Sequence, residues 1–159
     1  MRIFVFSDSH GNCTPMLNVL KENVGCYDFV IHLGDYANDT KYIDRTIGVT
    51  PSLYVAGNND YGSTLPATRT VELSGAKIFM CHGHTLNVKS SLDSLYYSAL
   101  RDGCSVALFG HTHVPFSDNE SGILICNPGT VGIASMGAYT YGILDIQDGK
   151  PNFKLKVIK

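Results

Sequence analysis

The 159-residue sequence contains no tryptophan, six prolines and few charged residues, 16% in all. Its five cysteines, Cys13, Cys26, Cys81, Cys104 and Cys126, include no CxxC pair. An odd count without paired spacing argues against a disulfide framework or a structural zinc knuckle, and leaves the thiols as small buried hydrophobes. No apolar run approaches the roughly 18 residues of a membrane span. The run that opens the chain, Ile3–Phe6, ends at polar Ser7-Asp8 and is too short for a secretory signal. The expectation is a mature cytoplasmic protein with no membrane partner. Twelve Lys and Arg stand against fourteen Asp and Glu, for a net charge of −2, and no basic cluster stands out. A broad grip on nucleic-acid backbone is therefore not expected. A hydrophobic fraction of 44% without low-complexity segments or linkers fits one domain spanning residues 1–159.

What is present is a repeated unit. Arg2–Phe6, Phe29–Leu33 and Leu53–Ala56 read as short apolar strands, each ending at a polar, Gly-containing turn. Between them, Met16, Leu17, Val19, Leu20 and Val24 recur with helical spacing, with Thr14 as N-cap and Pro15 as first helical residue. A second short helix is expected over Asn38–Thr46. This alternation predicts an α/β sheet with parallel strands, whose ligands bind at the carboxyl ends of the strands. The second half is strand-rich. Arg69–Leu73 and Lys77–Met80 flank a Ser74-Gly75-Ala76 hairpin, a helix is expected over Ser91–Arg101, and a strand over Ser105–Phe109. Further strands fall near Val114–Ser117, Ile123–Cys126, Tyr139–Ile146 and Phe153–Ile158. Two facing sheets with helices outside would hold this many strands, at least some of them antiparallel.

Five strand-end turns carry metal-capable side chains: Asp8-Ser9-His10, Gly34-Asp35, Gly57-Asn58-Asn59-Asp60, His82-Gly83-His84 and Gly110-His111-Thr112-His113. Taken singly, each is a weak signal, because one histidine after a strand is more often a satisfied core residue than a ligand. Together they hold five of the six histidines, and chance does not place them so. Carboxylate oxygen with neutral imidazole suits Mn²⁺, Fe²⁺, Zn²⁺, Co²⁺ or Ni²⁺. Two such ions clamp the oxygens of an in-line displacement at phosphorus. His32, inside the second strand, reads as a core or sheet-face residue. Lys154, Lys156 and Lys159 alternate as on a solvated edge, and the Tyr96-Tyr97 pair reads as packing.

The order D-x-H, GD, GN-x-D, H-x-H, GH-x-H resembles the calcineurin-like metallophosphoesterase superfamily, and the short second half is similar to its YfcE-like phosphodiesterase branch. The resemblance implies a four-layer α-β-β-α sandwich of mixed α/β class. It implies two divalent ions, manganese first with Fe, Ni, Co or Zn as alternatives. One would be held by Asp8, His10, Asp35 and His113, the other by Asp35, Asn58, His82 and His111, with Asp35 bridging. The implied activity is phosphodiester hydrolysis by in-line attack of a hydroxide bridging the ions, with Asn58, His82 and Asp35 at the catalytic centre and a small phosphoester as substrate. Alternatives kept open are a phosphomonoesterase and a catalytically inactive protein-interaction scaffold of the same fold. Relatives often form dimers or tetramers, so a homo-oligomer is an open expectation.

Three positions carry more specific expectations. Where GN-x-D commonly has His at x, this chain has Asn59, and an amide cannot act as a general acid near neutral pH. A preference for leaving groups that need little protonation follows, unless His84 supplies a proton. The favoured role for His84 is to orient His82 or a loop. Asp60 is expected to hydrogen-bond a ligand histidine. Asn127-Pro128-Gly129-Thr130 resembles the NPGS turn of the branch and reads as a tight structural turn. No basic residue follows it in Val131–Tyr139, so a substrate-facing charge is expected to be missing there.

Overall fold

A computed structural model of the chain describes residues 1–37, 48, 52–134 and 137–158. The helix expected over Asn38–Thr46 lies outside these residues, as does Lys159. The described elements, in chain order, are β1 (Arg2–Phe6), α1 (Thr14–Glu22), β2 (Phe29–His32), β3 (Ser52–Tyr54), β4 (Thr68–Leu73), β5 (Ala76–Cys81), a 3-10 turn (His84–Leu86), α2 (Asp93–Arg101), β6 (Val106–Leu108), β7 (Phe116–Asp118), β8 (Leu124–Asn127), β9 (Tyr139–Gln147) and β10 (Lys150–Ile158).

The strands form two five-stranded sheets, ordered β10-β9-β1-β2-β3 and β4-β5-β6-β8-β7. The first sheet joins its three parallel strands (β1, β2, β3) to the antiparallel β9–β10 hairpin on the β1 side, and the second flanks its three parallel strands (β5, β6, β8) with antiparallel β4 and β7. Side-chain alternation builds the layers. Ile3, Val5, Ile31 and Leu144 of the first sheet meet Ile78, Met80, Val106, Leu108 and Cys126 of the second in one buried core. The opposite faces point outward. Phe4, Phe6, Val30 and Tyr141 pack on Met16, Val19 and Leu20 of α1. Phe79, Cys81, Ala107 and Ile125 pack on Leu95 and Ala99 of α2. The result is the expected sandwich of two sheets flanked by helices, and no helix among the described residues is long and apolar enough to cross a membrane.

Local departures have local causes. Helix α1 begins one residue earlier than expected: Cys13 occupies the N-cap position, without a side-chain cap bond, and Thr14 is already helical. Pro15 in the first turn brings no N–H needing a partner, and Leu17 N–H bonds the Cys13 carbonyl at 2.9 Å. The helix ends at Glu22, so Val24 is not on its buried stripe and is 69% exposed. The β4–β5 hairpin closes on Ser74-Gly75, both at positive φ (51° and 80°), the geometry that matches strand twist in a two-residue turn. Of the five thiols, Cys81, Cys104 and Cys126 are buried as expected, whereas Cys26 is exposed. Tyr96 packs against the α2 layer, but Tyr97 is exposed.

Candidate metal centre

The carboxyl ends of the parallel strands of both sheets meet along one edge. All seven ligand candidates lie there, because each follows one of those strands. The two sheets are tied across this edge by the site residues themselves. His82 Nδ1, following β5, donates to the Leu33 carbonyl after β2 (2.8 Å). The His111 N–H, following β6, donates to Asp8 Oδ2 after β1 (3.1 Å). Since a carbonyl only accepts, the His82 proton sits on Nδ1 and Nε2 faces the site.

Two compact groups form: Asp8 with His10 and His113, and Asp8 with Asp35 and His82, each with its ligand atoms within 4.8 Å of one another. Asp35 stands between the imidazoles of the two sides. Its Oδ2 lies 3.6 Å from His10 Nε2 and its Oδ1 lies 3.4 Å from His82 Nε2. Asn58 Oδ1 reaches His82 Nε2 at 3.2 Å. His111 joins neither compact group. Its ring stands edge-on to His82 with centroids 5.0 Å apart.

The donor set fits a pair of cations on two observations. Asp8 is fully buried, yet its Oδ1 has no hydrogen-bond partner. That oxygen faces Nε2 of His113, His10 and His82 at 3.0, 3.7 and 3.9 Å. His10 and His113 also turn Nε2 to Nε2 at 3.2 Å. Buried orphan acceptors are rare without an ion or water to satisfy them, and converging lone pairs are what a cation takes.

Backbone strain concentrates in the same place. Nine non-glycine described residues have positive φ, and six of them are Asp8, His10, Asp35, Tyr36, His111 and His113. Left-handed backbone costs such residues of order 1 kcal/mol or more each and persists where the surroundings enforce it. The turns are enforced by close neighbours. A Cβ on Gly57 would overlap Asp35, and one on Gly110 would overlap the Ser7 hydroxyl. Ser7 Oγ donates to Asp8 Oδ2 (2.6 Å), and Thr130 Oγ1 donates to the Asp8 carbonyl (2.9 Å).

Charge follows from this geometry. Burial pushes the Asp8 carboxyl up, but the facing imidazoles of His10 and His113 and the charge of His82 outweigh it, and the group ends well below the ordinary carboxylate range. Burial likewise opposes ionisation of Asp35, and His82 with the Asn59 amides overrides it, to about 2. In return Asp8 raises His10, and Asp35 and Asp8 lift His82 against its own burial. Burial, then the charges of His82 and Lys89, depress His111 to about 4. The protein groups alone thus favour two carboxylates with protons drawn onto neighbouring imidazoles, protons that cations would displace.

The surrounding candidates take particular roles. Asn59 grips Asp35 twice, backbone N–H to Oδ1 (2.8 Å) and side-chain Nδ2 to Oδ2 (2.6 Å). Among the described residues Asp60 bonds the backbone N–H groups of Gly57 (2.7 Å) and Ala37 (2.9 Å) in place of the expected imidazole, and so staples two site turns together. His84 rests its ring 5.4 Å from His82 and 6.1 Å from His111, with Nδ1 buried and unpartnered. Asn127 is a structural turn as expected. Its amide donates to the Gly110 carbonyl (2.9 Å) and Thr112 Oγ1 (3.0 Å), and so braces the GH-x-H segment. Ser7, Ser9 and Lys89 have roles at the site that the sequence did not suggest, and Thr130, expected only as part of a structural turn, also braces Asp8. The flanking serines of Ser7-Asp8-Ser9 were the available signal for the first two, whereas nothing in the spacing placed Thr130 or Lys89 beside the site.

A two-sheet sandwich with clustered Asp and His side chains at its strand ends defines a metal-dependent hydrolase of the phosphoesterase type. Residues 1–149 match the calcineurin-like phosphoesterase superfamily domain, and the chain belongs to that superfamily. It is 29% identical over 149 residues to the probable metallophosphoesterase YsnB of Bacillus subtilis, covering 93% of this chain and 86% of YsnB. A crystal structure of a conserved uncharacterised protein of Streptococcus pneumoniae, a predicted phosphoesterase, superposes with a TM-score of 0.82 at 28% identity, covering 98% of this chain and 88% of that one. Vps29 of Entamoeba histolytica in complex with Zn²⁺ superposes with a TM-score of 0.78 over the full length of both chains, at 20% identity, a likeness of fold alone.

Proposed function

We propose that the protein is a dinuclear phosphodiesterase of the YfcE-like branch that acts in the cytoplasm on a small phosphoester, with manganese as its first-choice metal. The observation that carries this reading is the Asp35 carboxylate set between imidazoles on both sides, beside the orphaned Asp8 oxygen. Asp8, His10, Asp35 and His113 would hold one ion and Asp35, Asn58, His82 and His111 the other. Bound divalent ions supply Lewis acidity and a nucleophilic water at neutral pH.

The chain's own groups set the rest. Asn58 is exposed, and its amide would donate to a phosphate oxygen. His82 is held by the Leu33 carbonyl so that Nε2 keeps its aim. Proton supply to a leaving group is poor. Burial lowers the His84 pKa, so its imidazole is neutral, and the Asn59 amide is spent on Asp35. Esters with aryloxide leaving groups therefore suit the site better than alkyl esters. A pure scaffold has no physical need to converge this donor set or to hold its turns in strained backbone.

The test is metal-stripped protein assayed with bis-aryl and mono-aryl phosphates after addition of Mn²⁺, Fe²⁺, Co²⁺, Ni²⁺ or Zn²⁺ in turn. Faster turnover of the diester is expected. Hydrolysis of neither ester with any metal would refute the enzyme reading, and a clear preference for the monoester would refute the diesterase.

A further inference from the structure

His32 is the histidine that the five strand-end turns do not use. It ends β2, on the outward face it shares with Val30, and is completely buried. The Gly34 N–H donates to its Nδ1 at 3.2 Å. An N–H only donates, so Nδ1 accepts and the ring proton resides on Nε2. That nitrogen lies 3.2 Å from Ser9 Oγ. Ser9 Oγ therefore accepts from His32, and its own proton is directed to the carbonyls of Asp35 and Tyr36, both at 3.4 Å.

This chain of bonds joins two turns. Ser9 is fully buried and lies between Asp8 and His10. Asp35 and Tyr36 are consecutive left-handed residues, with φ of 56° and 67°. Their strained turn needs an external hold on its carbonyls to persist. We propose that His32 is a positioning residue of the metal centre: by orienting the Ser9 hydroxyl it locks the Asp8–His10 turn against the Asp35–Tyr36 turn, and so fixes the spacing of the ligands on either side. The inference rests on the reading that these turns bind metal. A hydrophobic residue of the same volume would fill the space but leave the Gly34 N–H and the Ser9 hydroxyl without their partner, which is why packing alone does not explain an imidazole here.

The experiment is direct titration of the metal-stripped full chain with Mn²⁺, free Mn²⁺ being counted by electron paramagnetic resonance at fixed pH. The variants are Ser9→Ala, His32→Asn, His32→Gln and the Ser9→Ala/His32→Asn pair. Asparagine keeps an acceptor near Nδ1 for Gly34 and loses the donor to Ser9. Glutamine places an N–H donor near the Nε2 position. Ser9→Ala and His32→Asn should each weaken Mn²⁺ binding about 10-fold, the usual scale for groups that orient metal ligands. The double variant should be no weaker than either single one, because both cut the same path, and His32→Gln should retain most of the affinity. Wild-type affinity in Ser9→Ala, an additive loss in the double variant, or a Gln variant as weak as Asn would overturn the proposal. Metal-free melting temperatures identify any variant that fails to fold, and Ser9→Ala, which removes one oxygen, keeps the question decidable if His32→Asn does. Ester hydrolysis is assayed apart, so the affinity pattern decides the positioning role whether or not a given ester is turned over.

Discussion

Replacing Asp35 by asparagine separates two ideas about the metal-free site. If the imidazoles and amides around Asp35 stabilise its charge, the substitution weakens the fold. If repulsion from Asp8 dominates, the substitution strengthens it. The carboxylate is 2% exposed and accepts two bonds from Asn59, with His82 Nε2 at 3.4 Å. An asparagine of the same size loses the charge and sets an NH₂ against either the Asn59 side-chain amide or its backbone N–H. The depression of Asp35 from 3.8 to about 2 corresponds to about 2 kcal/mol favouring the ionised form, at 1.36 kcal/mol per pH unit. For a chain of this size that is a fall in melting temperature of roughly 4–8 °C. The assay is calorimetry on chelator-treated protein at pH 6, where His10 and His82 still hold their protons. The pH dependence has a defined sign. Asp35's folded pKa lies below its unfolded one, so its stabilisation is complete above about pH 4 and is lost as pH falls towards 2. The gap between wild type and Asp35→Asn should therefore close over that window. His10 and His82 are raised, so their contribution is present below about pH 6.5 and lost as pH rises through their folded values. Equal or greater stability of metal-free Asp35→Asn at pH 6 would refute the reasoning.

Gly57→Ala places a methyl group on the Asp35 carboxylate and backbone, and should lower Mn²⁺ affinity about 10-fold or more, read by calorimetric titration. Asn59→His should raise the rate on alkyl esters relative to aryl esters, about 100-fold if the imidazole acts as a general acid. An unchanged ratio would show that the missing acid is not the cause of the expected preference. Cys26 should react with a thiol reagent in the native protein, whereas Cys81 and Cys126, buried and with thiol pKa values pushed up to about 12 by desolvation, should label only on unfolding, as counted by mass spectrometry.

The sandwich was legible in the sequence because its rules are local. Alternation in Arg2–Phe6 and Ala76–Cys81 sorts each side chain to the inter-sheet core or to a helix-covered face, and the turns announce where strands stop. The ligand candidates were legible for the same reason, since each lies in the polar turn that follows a parallel strand. What stayed hidden depends on contacts between distant segments. Ser9 and His32 are 23 positions apart, and Thr130 reaches the Asp8 carbonyl across 122. Asp60 resembles a partner for an imidazole in a linear reading. Its actual partners, the amides of Gly57 and Ala37, become visible only once the turns after β2 and β3 lie side by side. The helix start moved by one residue: Cys13 takes the N-cap position without a side-chain bond, and Pro15 still falls in the first turn, where a missing N–H costs nothing.

The strain and the charge at this edge have a common logic. Six left-handed ligand-turn residues and a buried carboxylate oxygen without a bond partner both destabilise the metal-free fold. The first is offset by hydrogen bonds that Ser7, Ser9 and Thr130 donate and Asp60 accepts, none of these residues being itself a ligand candidate. The second is offset only in part, by His113 at 3.0 Å from Asp8 Oδ1. On this arrangement the turns are expected to keep their strained form through the protein's own bonds, and the Asp8 oxygen is the group a cation would satisfy. A site arranged this way does not have to fold around its metal. Ion binding should accordingly raise the melting temperature without ordering new secondary structure. Far-ultraviolet circular dichroism of the chelated and Mn²⁺-loaded protein tests this directly. Superimposable spectra with separated melting curves are the expected result, and a gain of helix or strand on loading would show that the turns are organised by the ions and not by the protein.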